Sequence, residues 1–311
     1  MSNKRFPTWV VRMPTHGAER ISGQEKPLAF VHINKTAGTS LTQYLKAHFE
    51  SPAVVAPPWH GDFDEIGVDD VTRQMFWGHF TYERFVKRRP DVWFITFLRD
   101  PVQRVFSQYR SMHNPANLRD GWEKVLPNHA RRSMDFAQAA SFEEFVMSDD
   151  PFIVGHIQNL QTRFLSSYRD QNHPEYLSSA ILNLTESILF FGVTESFQDS
   201  ISLFRYQLQS SRPYIAEEHD RNVSQPYDVS VTSTEVRHRL HQLVGFDQQL
   251  YELAVTEFSR RVQFMKRKTD MSRTANRAPR RRPVPGEPAG NSLQTSDDRR
   301  RRFYIDRWLW P

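Results

Sequence analysis

Short apolar runs alternate along this chain with stretches in which apolar residues recur every three or four positions. Three of the runs predict strands buried on both faces, namely Leu28 to Ile33, Trp93 to Leu98, and Ile188 to Val193 with Gly192 ending the strand. Each run is followed by a segment with the 3.6-residue period of an amphipathic helix. The alternation predicts a three-layer α/β fold, in which a central, mainly parallel sheet is flanked by helices.

The first predicted strand leads into the segment Asn34-Lys35-Thr36-Ala37-Gly38-Thr39-Ser40. We expect a tight turn here, with Gly38 permitting a sharp bend and Thr39 or Ser40 capping the next helix. The apolar face of that helix comprises Leu41, Tyr44, Leu45, His48 and Phe49. Free N–H groups at a helix start, together with the charge of Lys35, predict a phosphate cradle. The alternative is an ordinary strand-to-helix turn with a surface lysine.

The order of residues in this turn differs from a Walker A loop. That loop has the pattern G-x-x-x-x-G-K-[ST], in which the lysine follows the glycines. Here Lys35 precedes Gly38. The segment therefore predicts a phosphate site of another kind.

Arg99 and Ser107 flank the start of the helix that follows the second strand. Asp100 is suited to the N-cap and Pro101 to the first helical position. Arg99 falls where a parallel strand meets its crossover helix, the edge at which α/β sheets bind ligands. A guanidinium and a hydroxyl suit a terminal phosphate monoester. Alternatively, Arg99 pairs with a carboxylate and Ser107 is merely solvated.

Two other segments carry polar groups of interest. The pattern of an aromatic-rich segment, Phe76 to Tyr82, predicts a short strand. It contains His79, which is either a packed structural residue or a catalytic one. Residues 111–132 are polar and predict a mobile loop. Further on, Asn159, Gln161 and Arg163 offer amides and a guanidinium that suit hydroxylated or anionic groups, or form a helix-surface polar cluster. The last helical region runs from about Thr234 to Phe264, with a break at Gly245.

Composition narrows the class of protein. The 311 residues include no cysteine, which excludes disulfides and thiolate chemistry, and no Asp/His cluster suggests a metal. No apolar run reaches the roughly eighteen residues of a membrane helix, and residues 1–26 lack a signal core. We therefore expect a cytoplasmic protein with no membrane span.

The net charge of +5 arises from one region. Residues 266–302 hold twelve Lys/Arg and four Asp/Glu, which leaves 29 Lys/Arg and 32 Asp/Glu in the rest of the chain. The body is therefore not a polyanion-binding surface, and no nucleic-acid partner is expected. We divide the chain into a flexible arm at 1–26, a main domain at 27–268, a disordered Arg/Pro-rich linker at 269–302 and an aromatic segment at 303–311.

Taken in order, these segments resemble the carbohydrate sulfotransferase family that includes heparan sulfate 2-O-sulfotransferase. The turn N-K-T-A-G-T-S is similar to the family's 5′-phosphosulfate loop, usually P-K-T-A-G-T-S, with Asn34 in place of proline. The segment from Arg99 to Ser107 is similar to the 3′-phosphate motif R-D-P-x-x-R-x-x-S. A Gly-His pair at Gly78-His79 lies between them, and N-x-Q-T-R and F-D-Q-Q-L-Y follow at positions 159 and 246. The resemblance spans about residues 27–265.

The resemblance implies a P-loop-like fold and a sulfotransferase that uses 3′-phosphoadenosine 5′-phosphosulfate (PAPS) and releases 3′-phosphoadenosine 5′-phosphate (PAP), without a metal. It implies that Arg99 and Ser107 bind the 3′-phosphate, that His79 is the general base, and that His79 with Asn159, Gln161 and Arg163 contacts the acceptor. It also implies that the phosphosulfate group is bound by six consecutive residues, Lys35, Thr36, Ala37, Gly38, Thr39 and Ser40.

The acceptor implied is a hydroxyl of a glycan, glycolipid or small hydroxylated molecule. The missing membrane anchor of the Golgi members suggests a bacterial-type, cytoplasmic enzyme. Two alternatives stay open: a P-loop-type kinase of nucleotides or small molecules, and a non-catalytic member that binds nucleotide or sulfated glycan. The sequence leaves the oligomeric state, the acceptor and the role of the tail undetermined.

Overall fold

The structure is a computed structural model that describes residues 26–46, 54–55, 74–114, 128–208 and 226–277. All but the last residue of the predicted arm at 1–26 lies outside these ranges. So do residues 278–302 of the predicted linker and the aromatic segment at 303–311. Three-dimensional contacts separate a compact unit that ends at Arg267 from a second unit that begins at Lys268.

The described strands form one sheet in which every neighbouring pair is parallel. The strands are β1 (Leu28–Val31), β2 (Val54–Val55), β3 (Met75–Gly78), β4 (Trp93–Leu98) and β5 (Ile188–Val193). Their order across the sheet is β2-β3-β1-β4-β5, so β1 is central. In register, Val31 of β1 lies beside Gly78 of β3 and Thr96 of β4. The predicted α/β fold, with a parallel sheet flanked by helices, is confirmed.

The described α-helices are α1 (Gly38–Lys46), α2 (Tyr82–Arg88), α3 (Pro101–His113), α4 (Asn128–Ala139), α5 (Phe142–Met147), α6 (Pro151–Ile157), α7 (Leu160–Leu165), α8 (Tyr176–Leu182), α9 (Phe197–Gln207), α10 (Thr234–Leu243) and α11 (Gly245–Arg277). The predicted cap of α3 is confirmed, because the Asp100 side chain accepts a hydrogen bond from the Gln103 N–H at 2.9 Å and Pro101 follows it. The predicted break at Gly245 is also confirmed, since α10 ends just before it.

Several predicted boundaries are wrong. The polar loop at 111–132 is shorter, because α3 continues to His113 and α4 begins at Asn128, while 115–127 lie outside the described residues. The last helix continues past Phe264 to Arg277. Gly192 does not end its strand: it lies inside β5, where an added Cβ would come within 2.5 Å of the Phe97 ring. A glycine is needed there for close packing between β4 and β5.

Two apolar clusters form the core. One surrounds the sheet and includes Phe30, Ile95 and Phe190, together with Leu41, Tyr44 and Leu45 from the predicted face of α1. The last two members of that face, His48 and Phe49, lie outside the described residues. The second cluster joins α3 to α4, α5, α6 and α10. None of the described helices is long and apolar enough to cross a membrane.

Candidate active site

The predicted site residues follow three adjacent strands at one edge of the sheet. The loop containing Lys35 follows β1, His79 follows β3, and Arg99 follows β4. Because these strands are parallel and ordered β3-β1-β4, their carboxyl ends meet at the same edge, where α/β sheets bind ligands. The loop therefore lies between the strand that leads to the histidine and the strand that leads to the arginine.

The loop after β1 has an unusual backbone. Lys35 and Ala37 have φ angles of 70° and 60°, in the left-handed region, and the Thr36 hydroxyl donates a hydrogen bond to the Ile33 carbonyl at 2.9 Å. Left-handed residues within a turn direct successive N–H groups toward one point, which creates a concave anion site. The start of α1 adds the N–H groups of its first turn, which lack intrahelical acceptors.

Two expectations about this loop are wrong. Helix α1 begins at Gly38, so Thr39 and Ser40 lie inside its first turn and neither is the N-cap. The left-handed positions are Lys35 and Ala37, so Gly38 does not provide the bend. A glycine is required at position 38 because a Cβ there would lie 1.8 Å from the His32 Nε2 atom.

Two cations face each other across this edge. The Arg99 Nη1 group donates to the Lys35 carbonyl at 3.3 Å. Burial, and next the charge of Arg99, lower the pKa of Lys35, while burial lowers the pKa of Arg99 against the opposing effect of Glu195. The Arg99 Nε and Glu195 Oε1 atoms are 3.8 Å apart, and within the described ranges no carboxylate pairs with Lys35. Two partly buried cations therefore lie close together at this edge, an arrangement that favours an anion.

Arg99 is held by residues from two other elements. Its backbone N–H donates to Gln161 Oε1 at 2.9 Å, and Gln161 Nε2 donates back to the Arg99 carbonyl at 2.8 Å. Glu195 accepts from the Asp100 N–H at 3.1 Å and from the Tyr251 hydroxyl at 2.7 Å. Neither Glu195 nor Tyr251 was predicted as a support for Arg99. Tyr251 ends the F-D-Q-Q-L-Y segment, which was a usable signal, whereas Glu195 had none.

The remaining predicted residues lie in helices behind the sheet edge. Ser107 is buried in α3, and no described residue hydrogen-bonds to its hydroxyl, so its pairing with Arg99 on a phosphate stays a prediction. The Asn159 Oδ1 atom accepts from the Phe246 N–H at 2.9 Å, and Arg163 Nη2 donates to the Gly155 carbonyl at 2.6 Å. Asn159 and Gln161 are buried, so the alternative of a helix-surface cluster is wrong for them. Their contact with an acceptor stays a prediction.

His79 is oriented by the backbone of the neighbouring strand. Its Nδ1 atom lies 2.7 Å from the His32 carbonyl oxygen. Since a carbonyl only accepts, Nδ1 carries the proton and the lone pair of the neutral ring is on Nε2. Desolvation by the surrounding protein lowers the pKa of His79 below 6.5; the bond to His32 opposes this, and the charge of Lys35 adds to it. His79 is at the same time exposed to solvent, and in the neutral ring Nε2 is the nitrogen that can accept a proton.

A parallel sheet whose central strand leads into a cationic, N–H-rich loop places the protein among P-loop-like α/β proteins. A sequence profile of the sulfotransferase family matches residues 20–254, and the chain belongs to this family.

Among curated proteins, heparan-sulfate 6-O-sulfotransferase 2 of Danio rerio is 25% identical over 285 residues. The match covers 76% of this chain and 59% of the relative, so the chain spans less than two thirds of that protein.

Two solved structures are distantly similar. Mouse sulfotransferase SULT7A1, in complex with PAP, is 13% identical, with 75% of this chain and 89% of that chain covered and a TM-score of 0.43. A sulfotransferase from Alicyclobacillus acidocaldarius is 17% identical, with 71% and 96% covered and a TM-score of 0.35.

Proposed function

We propose that this protein transfers a sulfuryl group from PAPS to a hydroxyl group of an acceptor. The observation that carries the proposal is the sheet edge itself. It joins an anion-binding loop and two cations, Lys35 and Arg99, to a histidine, His79, whose Nδ1 atom is held by a hydrogen bond to the His32 carbonyl. Membership of the sulfotransferase family supports the same reaction.

The residues at this edge fit a nucleotide donor that carries several negative charges. In the proposal Lys35 and the backbone of residues 36–40 bind the phosphosulfate group, while Arg99 and Ser107 bind the 3′-phosphate. The donor supplies an activated sulfuryl group, and its departure leaves negative charge on the bridging oxygen. The Lys35 ammonium and the loop N–H groups are fixed beforehand where that charge develops, which is the most effective form of electrostatic stabilisation.

His79 acts as the general base in this mechanism. Its Nε2 atom takes the proton of the acceptor hydroxyl, while Nδ1 remains bonded to the His32 carbonyl. A base of this kind commonly contributes about 10²–10⁴ in rate. We propose no metal, and in the described part of the chain no three His, Asp or Glu side chains are arranged to hold one.

The acceptor is proposed to be a hydroxylated molecule, with a carbohydrate as the first candidate. The name of the zebrafish relative indicates a polysaccharide acceptor for that protein. For this chain we propose the wider class of glycans, glycolipids and small hydroxylated molecules, and a cytoplasmic, bacterial-type enzyme. The kinase alternative lacks a lysine after Gly38. A non-catalytic member would bind PAP and yet not consume PAPS.

The test is a calorimetric titration of PAP into the wild type and Arg99→Ala, with ADP as the control ligand. We expect micromolar binding that prefers PAP over ADP and weakens about tenfold or more in the variant. Arg110→Ala is the matched control, because Arg110 is an exposed arginine later in α3. Equal binding of ADP, or no binding of PAP to the wild type, would contradict the proposal.

A further inference from the structure

His32 contacts both parts of the proposed catalytic machinery. Its N–H donates to the Gly78 carbonyl at 2.9 Å, and its own carbonyl accepts from His79 Nδ1 at 2.7 Å. The backbone of His32 therefore continues the β1–β3 pairing for one residue beyond the strands. This extension fixes the start of the segment that carries His79.

The His32 ring makes a second set of contacts. Its centroid lies 4.5 Å from that of His79 and 5.3 Å from that of Phe30, and it is nearly parallel to the Phe30 ring at 17°. Its Nε2 edge occupies the space that a side chain at position 38 would need. One imidazole thus separates the candidate base from the first residue of α1 in the phosphate loop.

The surroundings of the His32 ring favour its neutral form. The Nδ1 atom of His32 is buried and forms no hydrogen bond within the described structure. A proton on it would place an unpartnered charge beside Lys35 and His79. Burial, then His79, then Lys35 all lower its pKa well below 6.5, which favours the neutral ring.

We propose that the His32 side chain is a positioning residue for the reaction. It holds the His79 ring and the Gly38 end of the phosphate loop at a fixed separation, so that the base and the Lys35 charge act on one point. This inference rests on the proposed function, because it assigns His32 a role in the same site. It predicts that a flat apolar ring can replace His32 and that a methyl group cannot.

The first experiment follows the ring nitrogens of histidine by heteronuclear NMR in the full-length wild type, His32→Phe and His32→Ala. The His79 signals are assigned from their loss in His79→Ala. We expect the wild type and His32→Phe to keep the Nδ1–H form of His79 with a pKa below 6.5. In His32→Ala the pKa should rise toward 6.5 and both tautomers should appear, because the ring that packs on His79 is gone.

The second experiment tests the contact with the loop. Gly38→Ala should weaken PAP binding about tenfold or more, since its methyl group overlaps His32. Adding His32→Ala should restore most of that loss, because the ring no longer occupies the space. Gly155→Ala in α6 is the control, where a Cβ meets nothing within 4 Å. If the double variant binds PAP no better than Gly38→Ala, the inference is wrong.

Turnover separates this inference from the proposed function. In a wild type that transfers the sulfuryl group, His32→Ala should lower kcat with little change in PAP affinity, and His32→Phe should retain most of kcat. If His32→Phe loses as much as His32→Ala, or if neither changes kcat or the His79 pKa, the positioning role is wrong. A wild type that neither binds PAP nor consumes PAPS contradicts the proposed function, whereas the NMR result still reports on the contact between His32 and His79.

Discussion

Lys35 and Ala37 place two side-chain-bearing residues in the left-handed region within three positions. Each such residue costs about 1–2 kcal/mol relative to a right-handed conformation. The loop does not use its glycine to avoid this cost, since Gly38 is needed for contact with His32. Strain of this kind persists where the surrounding structure imposes it, and it is concentrated at binding sites.

Ala37→Gly should therefore stabilise the protein. Glycine adopts a φ of 60° without a steric penalty, and we expect the free energy of unfolding to rise by about 0.5–1 kcal/mol after the entropy cost of the unfolded chain. Urea denaturation measures the change. Ala254→Gly is the control: it lies within α11, where glycine should cost about 1 kcal/mol in helix propensity and more because the buried methyl group is lost from the core. A loss of stability in Ala37→Gly would show that the alanine methyl packs usefully.

The lowered pKa of His79 sets the pH dependence of the proposed reaction. A general base works only when unprotonated, so kcat/KM should fall as the pH drops through the pKa of His79. Above that pKa it should be constant until Lys35, whose pKa is also lowered, begins to lose its proton. Because the pKa of His79 lies below 6.5, the enzyme should keep most of its activity at pH 6.5. His79→Gln should reduce kcat about 10²–10⁴-fold.

The control for this prediction is PAP affinity, which His79→Gln should leave unchanged because the proposed donor contacts are elsewhere. A fall in kcat/KM centred above pH 6.5 would contradict the assignment of His79. So would a variant that retains the wild-type rate.

Helices α7 and α11 cap each other. The Asp247 carboxylate accepts from the N–H groups of Gln161 at 3.1 Å and Thr162 at 2.7 Å, at the start of α7. Asn159 in return accepts from the N–H groups of Phe246 and Asp247 at the start of α11. Since Gln161 also holds the backbone of Arg99, this junction connects the last long helix to the candidate 3′-phosphate site.

Asp247→Ala should destabilise the fold strongly. Asp247 is fully buried, and its charge compensates the buried guanidinium of Arg104, whose pKa burial lowers to about 10. Removing this carboxylate also leaves the buried N–H groups of Gln161 and Thr162 without their acceptor, at a cost of about 1–3 kcal/mol for each group, which urea denaturation would detect. Asp247→Asn retains an acceptor and should cost less.

Asp149→Ala is the matched control. This carboxylate is 90% exposed in its pair with Arg239, and its loss should cost less than about 1 kcal/mol. Equal effects of Asp247→Ala and Asp149→Ala would mean that the buried junction adds little.

Local signals made most of the elements predictable. The six-residue apolar runs gave β4 and β5 at their observed bounds, and Asp100-Pro101 gave the start of α3. The mutual capping of α7 and α11 was not predictable, because Asp247 lies 85 positions from Thr162 in the chain. The left-handed φ at Lys35 and Ala37 was equally hidden, since neither residue type signals it. The sequence therefore predicted which residues form the loop, but it did not predict the backbone conformation that orients their N–H groups.

At the scale of the whole molecule, the sheet order explains why the candidate site is assembled from distant segments. Strand β1 pairs with β3 on one side and β4 on the other, so residues 35, 79 and 99 converge although up to 64 positions separate them. The resemblance of three short motifs anticipated this convergence, whereas apolar periodicity alone did not specify the strand order. The same sheet edge is also reached by Glu195, which follows β5, and by Tyr251 of α11, the two residues that support Arg99.

The basic tail should be dispensable for donor binding. The predicted main domain ends at residue 268, and the side chains of residues 266–271 of α11 are exposed. The truncation leaves 31 Lys/Arg and 31 Asp/Glu, which lowers the net charge from +5 to zero. Calorimetry should therefore give an unchanged PAP affinity, while retention on a cation-exchange column should fall because the charge surplus is gone.

A full-length variant with the ten Lys/Arg after position 268 replaced by Gln separates charge from chain length. A large loss of PAP affinity in the truncated protein, but not in the Gln variant, would show that the removed chain itself completes the donor site.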